Sequence, residues 1–183
     1  FIKAKFMAYT DNGDYQTLQG DYKIYYDAIQ YSKSGRLIES LKKINLLISK
    51  YNSSIFLIET KADILLSYGF ILEAIDFYEK VLLEQPQNNY VKYNLFTNIN
   101  FEKTDYVFNK DFFLDNLNLI SFFPNNIILL TKFYNLSKNL NYEEWILFFE
   151  ILLFNKDNLM EEIKQLKKQT KDNNLIKIIK LYT

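Results

Sequence analysis

Gly35 and Gly69 stand 34 residues apart, and the residues around them match at the same offset. Ala28 pairs with Ala62, Tyr31 with Leu65, Glu39 with Glu73 and Leu41 with Ile75. Ile44 then pairs with Tyr78, Leu47 with Val81 and Asn52 with Pro86. Each pair keeps its physical class: small, large apolar, acidic or turn-forming. One such pair is chance, but this many in one register define a repeated unit. A repeat constrains a fold strongly, because each unit buries its apolar face only against its neighbours. Gly is scarce, at 4, and Pro scarcer, at 2, so long segments can run as helices. No useful length alternates as a strand would.

The period and the residues that carry it resemble the tetratricopeptide repeat. In Ile55 to Asn88, Ala62 is the small residue that lets two helices approach, and Leu65 follows as the packing residue. Gly69 ends the first helix, where a left-handed cap favours glycine. Ala74 is the small residue of the second helix, with Tyr78 and Val81 on the same face. Pro86 cannot continue that helix. The stretch from Gly69 to Leu82 is close to the consensus of that family. The unit before it, 21–54, carries Ser40 in place of the small Ala and Asn52 in place of the Pro. The remainder, 89–183, reads as degenerate helical repeats. A first helix covers Asn89–Phe101, an insertion lies near Glu102–Phe108, and a second helix runs from Lys110 to Phe122. Further helices are predicted at Asn126–Lys138, Tyr142–Phe154, Asn158–Thr170 and Asn173–Tyr182. Asn141 with Glu144 has the spacing of a capping box. The resemblance implies an all-α fold, a right-handed α-solenoid of antiparallel helix hairpins.

In tetratricopeptide domains the second, fifth and ninth residues of each repeat line the concave face. That resemblance places Tyr22, Tyr25 and Ile29, then Phe56, Glu59 and Asp63, then Tyr90, Tyr93 and Thr97 in a partner-binding groove. The wall would be aromatic with two carboxylates, suited to an extended or helical peptide or to a neighbouring domain. The plainer alternative is that several rings pack on one another. Glu59 and Asp63 lie at i, i+4 and could in principle act as acid and base or hold a metal. A salt-bridged patch, with Lys61 or Lys92 as the cation, is the reading the sequence favours.

Composition narrows the chemistry. There is no Cys and no His, which excludes disulfides, a thiol nucleophile, the HExxH zinc motif and a Ser-His-Asp triad within these residues. No catalytic residue, metal ligand or cofactor is therefore expected in this chain. Lys+Arg and Asp+Glu both number 22, and a net charge of zero argues against nucleic acid as a partner. No stretch approaches the ~20 apolar residues of a membrane span. Arg36 is the only arginine, and Lys, Asn, Ile, Phe and Tyr abound. That bias fits A/T-rich codons, so 15 Tyr and 16 Phe need not mark an aromatic binding box.

A narrower resemblance lies in the N-terminal part. The segment Phe1 to Tyr9 resembles the helix leaving the catalytic domain in bacterial HExxH zinc metallopeptidases with a C-terminal tetratricopeptide domain. These are relatives of the β-barrel-assembly-enhancing protease and of the CAAX prenyl protease. Tyr25-Tyr26-Asp27-Ala28-Ile29 followed by Gly35 resembles their first repeat, and Glu59-Thr60-Lys61-Ala62-Asp63-Ile64-Leu65 their next. The resemblance spans roughly residues 1–125. It implies a linker helix over 1–20, a repeat array over 21–183 and a missing upstream protease domain that would carry the zinc. It further implies a periplasmic or envelope-associated role in protein quality control, with this chain recognising protein and not cleaving it. A stand-alone tetratricopeptide adaptor or chaperone scaffold is the alternative.

Overall fold

A computed structural model describes Lys5 and residues 18–98, 109–154 and 158–183. The described elements are helical, and no strand occurs among the described residues. The expected linker helix over 1–20 lies outside them save for Lys5 and residues 18–20, as does the insertion at Glu102–Phe108. The chain divides into two compact units, Phe1–Val91 and Lys92–Thr183.

In the first unit, α1 (Gly20–Lys33), α2 (Leu37–Lys50), α3 (Ile55–Ser67) and α4 (Ile71–Glu84) pack in order as adjacent pairs. The reason for the pairing is local. Gly35 and Gly69 sit at φ +80° and +81°, which reverses the chain after α1 and α3. The Arg36 and Phe70 amides then donate to the Tyr31 and Leu65 carbonyls, at 2.8 and 3.0 Å. The Gly35 and Gly69 amides donate to Ser32 and Leu66, so the same double-bonded cap closes both helices. The small residues of the repeat are all fully buried: Ala28, Ser40, Ala62 and Ala74. Ser40 does more than stand in for Ala, because its hydroxyl donates to the Ala28 carbonyl at 2.8 Å across the hairpin. Tyr25, Ile29, Ile44, Leu47, Leu57 and Ile64 complete this core.

The second unit repeats the device without glycine. α8 (Ile127–Asn139) and α9 (Glu143–Phe154) pack as a pair, and Asn141 between them has φ 55°. Its amide donates to Lys138 and that of Tyr142 to Ser137, the bond pattern seen at Gly35 and Gly69. Asn141 therefore closes α8, and the expected capping box with Glu144 does not form. The Glu144 carboxylate instead accepts from the Thr170 hydroxyl. The single helix expected over Lys110–Phe122 is two, α6 (Lys110–Asn116) and α7 (Asn118–Phe122). Leu117 between them keeps helical dihedrals, but its amide and that of Ile120 reach three residues back instead of four, a local tightening. α5 (Asn89–Asn98) straddles the division between the units, and α10 (Leu159–Gln169) and α11 (Asn173–Ile179) follow α9.

Aromatic rings fill this second core. Phe113 meets Phe133, Tyr142 and Trp145 edge-on at 5.5, 5.4 and 5.1 Å between centroids. Phe133 and Phe149 stack at 5.8 Å. Asp172 ties α11 to this cluster. One of its oxygens caps α11, accepting from the Asn174 and Leu175 amides, and the other accepts from Trp145 Nε1 at 2.9 Å.

The glycine turns make a direct prediction. An added Cβ at Gly69 would meet nothing within 4 Å, so its cost is conformational and not steric. Gly69→Val is expected to lower stability by ~1–2 kcal/mol through the left-handed backbone alone. Asn141→Gly is expected to change it by less than ~1 kcal/mol, because Asn already tolerates that region. Urea denaturation of the two variants beside the parent checks both.

Candidate functional site

Helix α3 carries Phe56, Glu59 and Asp63 at i, i+3 and i+7, which places them on one face. The structure brings these three together with Tyr90, at the start of α5, around one side chain. That side chain is Lys5. Its Nζ lies 3.6 Å from Glu59 Oε1 and 3.6 Å from Asp63 Oδ2. It also sits over the Phe56 ring at 5.2 Å and the Tyr90 ring at 6.0 Å from their centroids. Two carboxylates and two ring faces thus surround one ammonium, and each kind of group attracts it.

The carboxylates are held from behind. Asn88 Nδ2 donates to Glu59 Oε2 at 3.0 Å, while Asn88 Oδ1 accepts from the Val91 amide at the start of α5. The Tyr78 hydroxyl donates to Asp63 Oδ1 at 2.7 Å, and the Tyr90 hydroxyl donates to the same oxygen at 3.2 Å. Each carboxylate therefore spends one oxygen on neutral donors and turns the other to the cation. Beside Asp63 a cleft of ≈ 380 Å³ continues along α1 and α3, lined by Ile29, Ser32, Ser67 and Tyr68. Tyr68 fixes one wall by donating its hydroxyl to the Ser32 carbonyl at 2.6 Å.

Burial raises the Asp63 carboxyl above its ordinary value of 3.8. The Tyr78 hydrogen bond and the Lys5 charge pull it back down, Glu59 pushes it up, and the Tyr90 hydrogen bond lowers it. The net direction is upward, so the folded state holds this proton more tightly than the unfolded chain does. The stability this contributes is complete below pH 3.8 and is lost as pH rises through the raised value. Lys5→Met removes one of the lowering influences. The Asp63 titration, followed by carboxyl ¹³C resonances, is expected to move to still higher pH in that variant. A midpoint that stays put would mean Lys5 does not act on Asp63.

Other groove positions fall elsewhere. Tyr25 and Ile29 are closed to solvent, at 0% and 1% exposure, and belong to the core. Tyr25 is corrected from the open groove on that ground, whereas Ile29, although buried, borders the cleft beside Asp63. The Tyr25 ring packs 5.5 Å from Phe56, and its hydroxyl lies 3.0 Å from Thr60 Oγ1. Thr60 Oγ1 gives its own proton to the Phe56 carbonyl, so Tyr25 is the donor. Tyr22 is exposed on α1. Tyr93 and Thr97 lie in the second unit. The Tyr93 ring packs on Phe123 at 4.6 Å, its hydroxyl accepts from Asn126 Nδ2 at 2.9 Å, and Thr97 donates to the Tyr93 carbonyl. The cation between Glu59 and Asp63 was expected to be Lys61 or Lys92. Lys61 lies over the Phe77 ring at 4.4 Å instead.

Three contributors escaped the sequence reading: Lys5, Tyr78 and Asn88. Asn88 carried a usable signal, since an Asn immediately before an apolar helix is a cap. Nothing in the spacing connects Lys5 with residues more than 50 positions downstream.

The second unit has a cleft of ≈ 440 Å³ lined by Lys110, Leu114, Tyr142, Glu143, Trp145 and Asp172 among others. Two of its three acidic groups, Glu144 and Asp172, are already engaged by Thr170 and by Trp145 and the α11 cap. Among the described residues, no three His, Cys, Asp or Glu side chains gather as a metal site would need. No described helix is long and apolar enough to cross a membrane. The chain matches no protein-family model, no curated protein and no solved structure.

Proposed function

We propose that this chain is a non-catalytic protein-interaction module of the tetratricopeptide type, a right-handed stack of helix hairpins whose concave wall holds a protein segment. The observation that carries this reading is the seat on α3 and α5, where Phe56, Glu59, Asp63 and Tyr90 converge on a protein side chain. The 34-residue repeat and its two glycine caps support the architecture. Carboxylates pre-set by Asn88, Tyr78 and Tyr90 favour binding, because their orientation need not be paid for on association. The test is selection of peptides from a random display library against the whole chain. Selected peptides are expected to lose at least ~tenfold in affinity for Glu59→Gln/Asp63→Asn, as central anchor positions do. Peptides that bind this variant as well as the parent would overturn the reading.

A second reading has its own support. The stretch Glu59 to Leu65, which resembles the metallopeptidase repeat domain, supplies both carboxylates of the seat. On that reading the chain is the C-terminal domain of an envelope zinc metallopeptidase in protein quality control. An upstream protease domain would hold the zinc and pack on these repeats in cis. HExxH codons in the preceding reading frame are its test. A stand-alone adaptor or chaperone scaffold is what remains if no such codons are there.

A further inference from the structure

The first unit distributes its exposed apolar side chains unevenly. On α1 and α3, Tyr22 is the one exposed large apolar side chain among the described residues, whereas α2 and α4 show Ile38, Leu46, Ile71, Leu72 and Leu83. Exposed aliphatics scattered singly are ordinary, but two of these recur in register. Ile38 and Leu72 hold equivalent positions 34 residues apart and are 67% and 69% exposed. Four residues on, and so on the same helix face, stand Lys42 and Asp76, again equivalent, both exposed and opposite in charge. No ion pair engages either one among the described residues. The rest of each helix follows suit: α2 carries three lysines and one glutamate, and α4 carries four acids and one lysine. The acidic crowding on α4 has its own effect, since burial and then the charge of Asp76 raise the Glu79 carboxyl above its ordinary value of 4.5.

Opposite charge at equivalent positions makes this face complementary to itself. In stacked repeats, Lys42 lies at the height of Asp76 and Ile38 at that of Leu72. A two-fold axis running along the helices lays α2 of one copy against α4 of the other, as an isologous contact requires. Lys42 then meets Asp76 twice, once in each direction, and so does Ile38 with Leu72. Glu39 faces Glu73 at the rim, where Arg36 already neutralises Glu39 at 2.8 Å. A partner of one charge sign would satisfy one helix and be repelled by the other. We propose that the outer face of α2 and α4 is a dimer interface whose occupant is a second copy of this chain. It goes beyond the interaction reading above and uses none of the residues around Lys5. A face of two helices, each about 21 Å long, stands at the small end of specific interfaces, so the dimer is weak and forms in the range of roughly 10–1,000 μM.

Analytical ultracentrifugation of the full chain across that range, at low salt, is the test. The weight-average mass is expected to climb from 22.0 kDa towards twice that value. Lys42→Glu or Asp76→Lys alone should weaken self-association at least ~tenfold, since each sets like charges opposite one another. The two variants mixed in equal amounts should associate again. One is then acidic at both positions and the other basic at both, so each supplies the charge the other has lost. Ile38→Ser/Leu72→Ser should weaken the dimer by at least ~tenfold as well, through lost apolar burial. All four positions are exposed, and circular dichroism checks that each variant keeps the parent's helix content. A parent chain that stays monomeric at the highest concentration overturns the proposal and leaves the face to a different partner or to none. Self-association that survives in both charge variants places the dimer elsewhere on the molecule and overturns it too. So does a mixture of the two variants that associates no better than either alone.

Discussion

Phe113→Ala is expected to cost about 3–5 kcal/mol, a large part of the total stability of a unit this size. The ring is fully buried, and three aromatic neighbours, Phe133, Tyr142 and Trp145, meet it edge-on. Those neighbours come from different elements, so no single side chain can relax into the space. The helix that carries Phe113 has only 7 residues and cannot persist without its packing. Trp145 is the only tryptophan and touches the same ring. Its fluorescence during urea denaturation is therefore a direct reading of this core. A midpoint within error of the parent's would mean that the aromatic cluster is not what holds α6 in place.

Tyr25→Ala should be comparably damaging in the first unit, at about 3–5 kcal/mol. A groove tyrosine would have been dispensable for folding, so this variant separates the two roles. The conservative change is informative beside it. Tyr25→Phe keeps the ring on Phe56 and removes only the hydroxyl that donates to Thr60. Thr60 stays satisfied through the Phe56 carbonyl, so the loss should be nearer ~1 kcal/mol. Thermal melts by circular dichroism order the parent and the two variants. If Tyr25→Ala melts with the parent, the ring is not part of the core.

The repeat register was legible because it rests on local chemistry. A glycine at a left-handed cap and a small residue at a close helix crossing leave marks within a few residues, and Gly35, Gly69, Ala28, Ala62 and Ala74 all behave as their neighbours foretold. The third cap was hidden because Asn141 does there what glycine does elsewhere, and it falls 72 residues after Gly69, off any multiple of 34. The break at Leu117 left no mark either, since its dihedrals remain helical and only the hydrogen bonding shifts. Within the site, the face shared by Phe56, Glu59 and Asp63 follows from helical spacing alone. That Tyr25 and Ile29 are closed to solvent does not, because it depends on what packs over α1 and not on where they lie along it. Lys5 is the extreme case: a contact set by tertiary structure, with no periodicity to announce it. The abundance of phenylalanine reads correctly as core in the second unit, where the rings pack mainly on one another.

The enclosure of the Lys5 seat also sets how it answers to ionic strength. Glu59 and Asp63 are 15% and 11% exposed at their side chains, so dissolved salt has little access to the space between them and the ammonium. Contacts such as Arg36 with Glu39, half open to water, fade as the electrolyte is concentrated. The bonds from Lys5 to Glu59 and Asp63 are therefore expected to outlast, in brine, the pairing of Arg36 with Glu39.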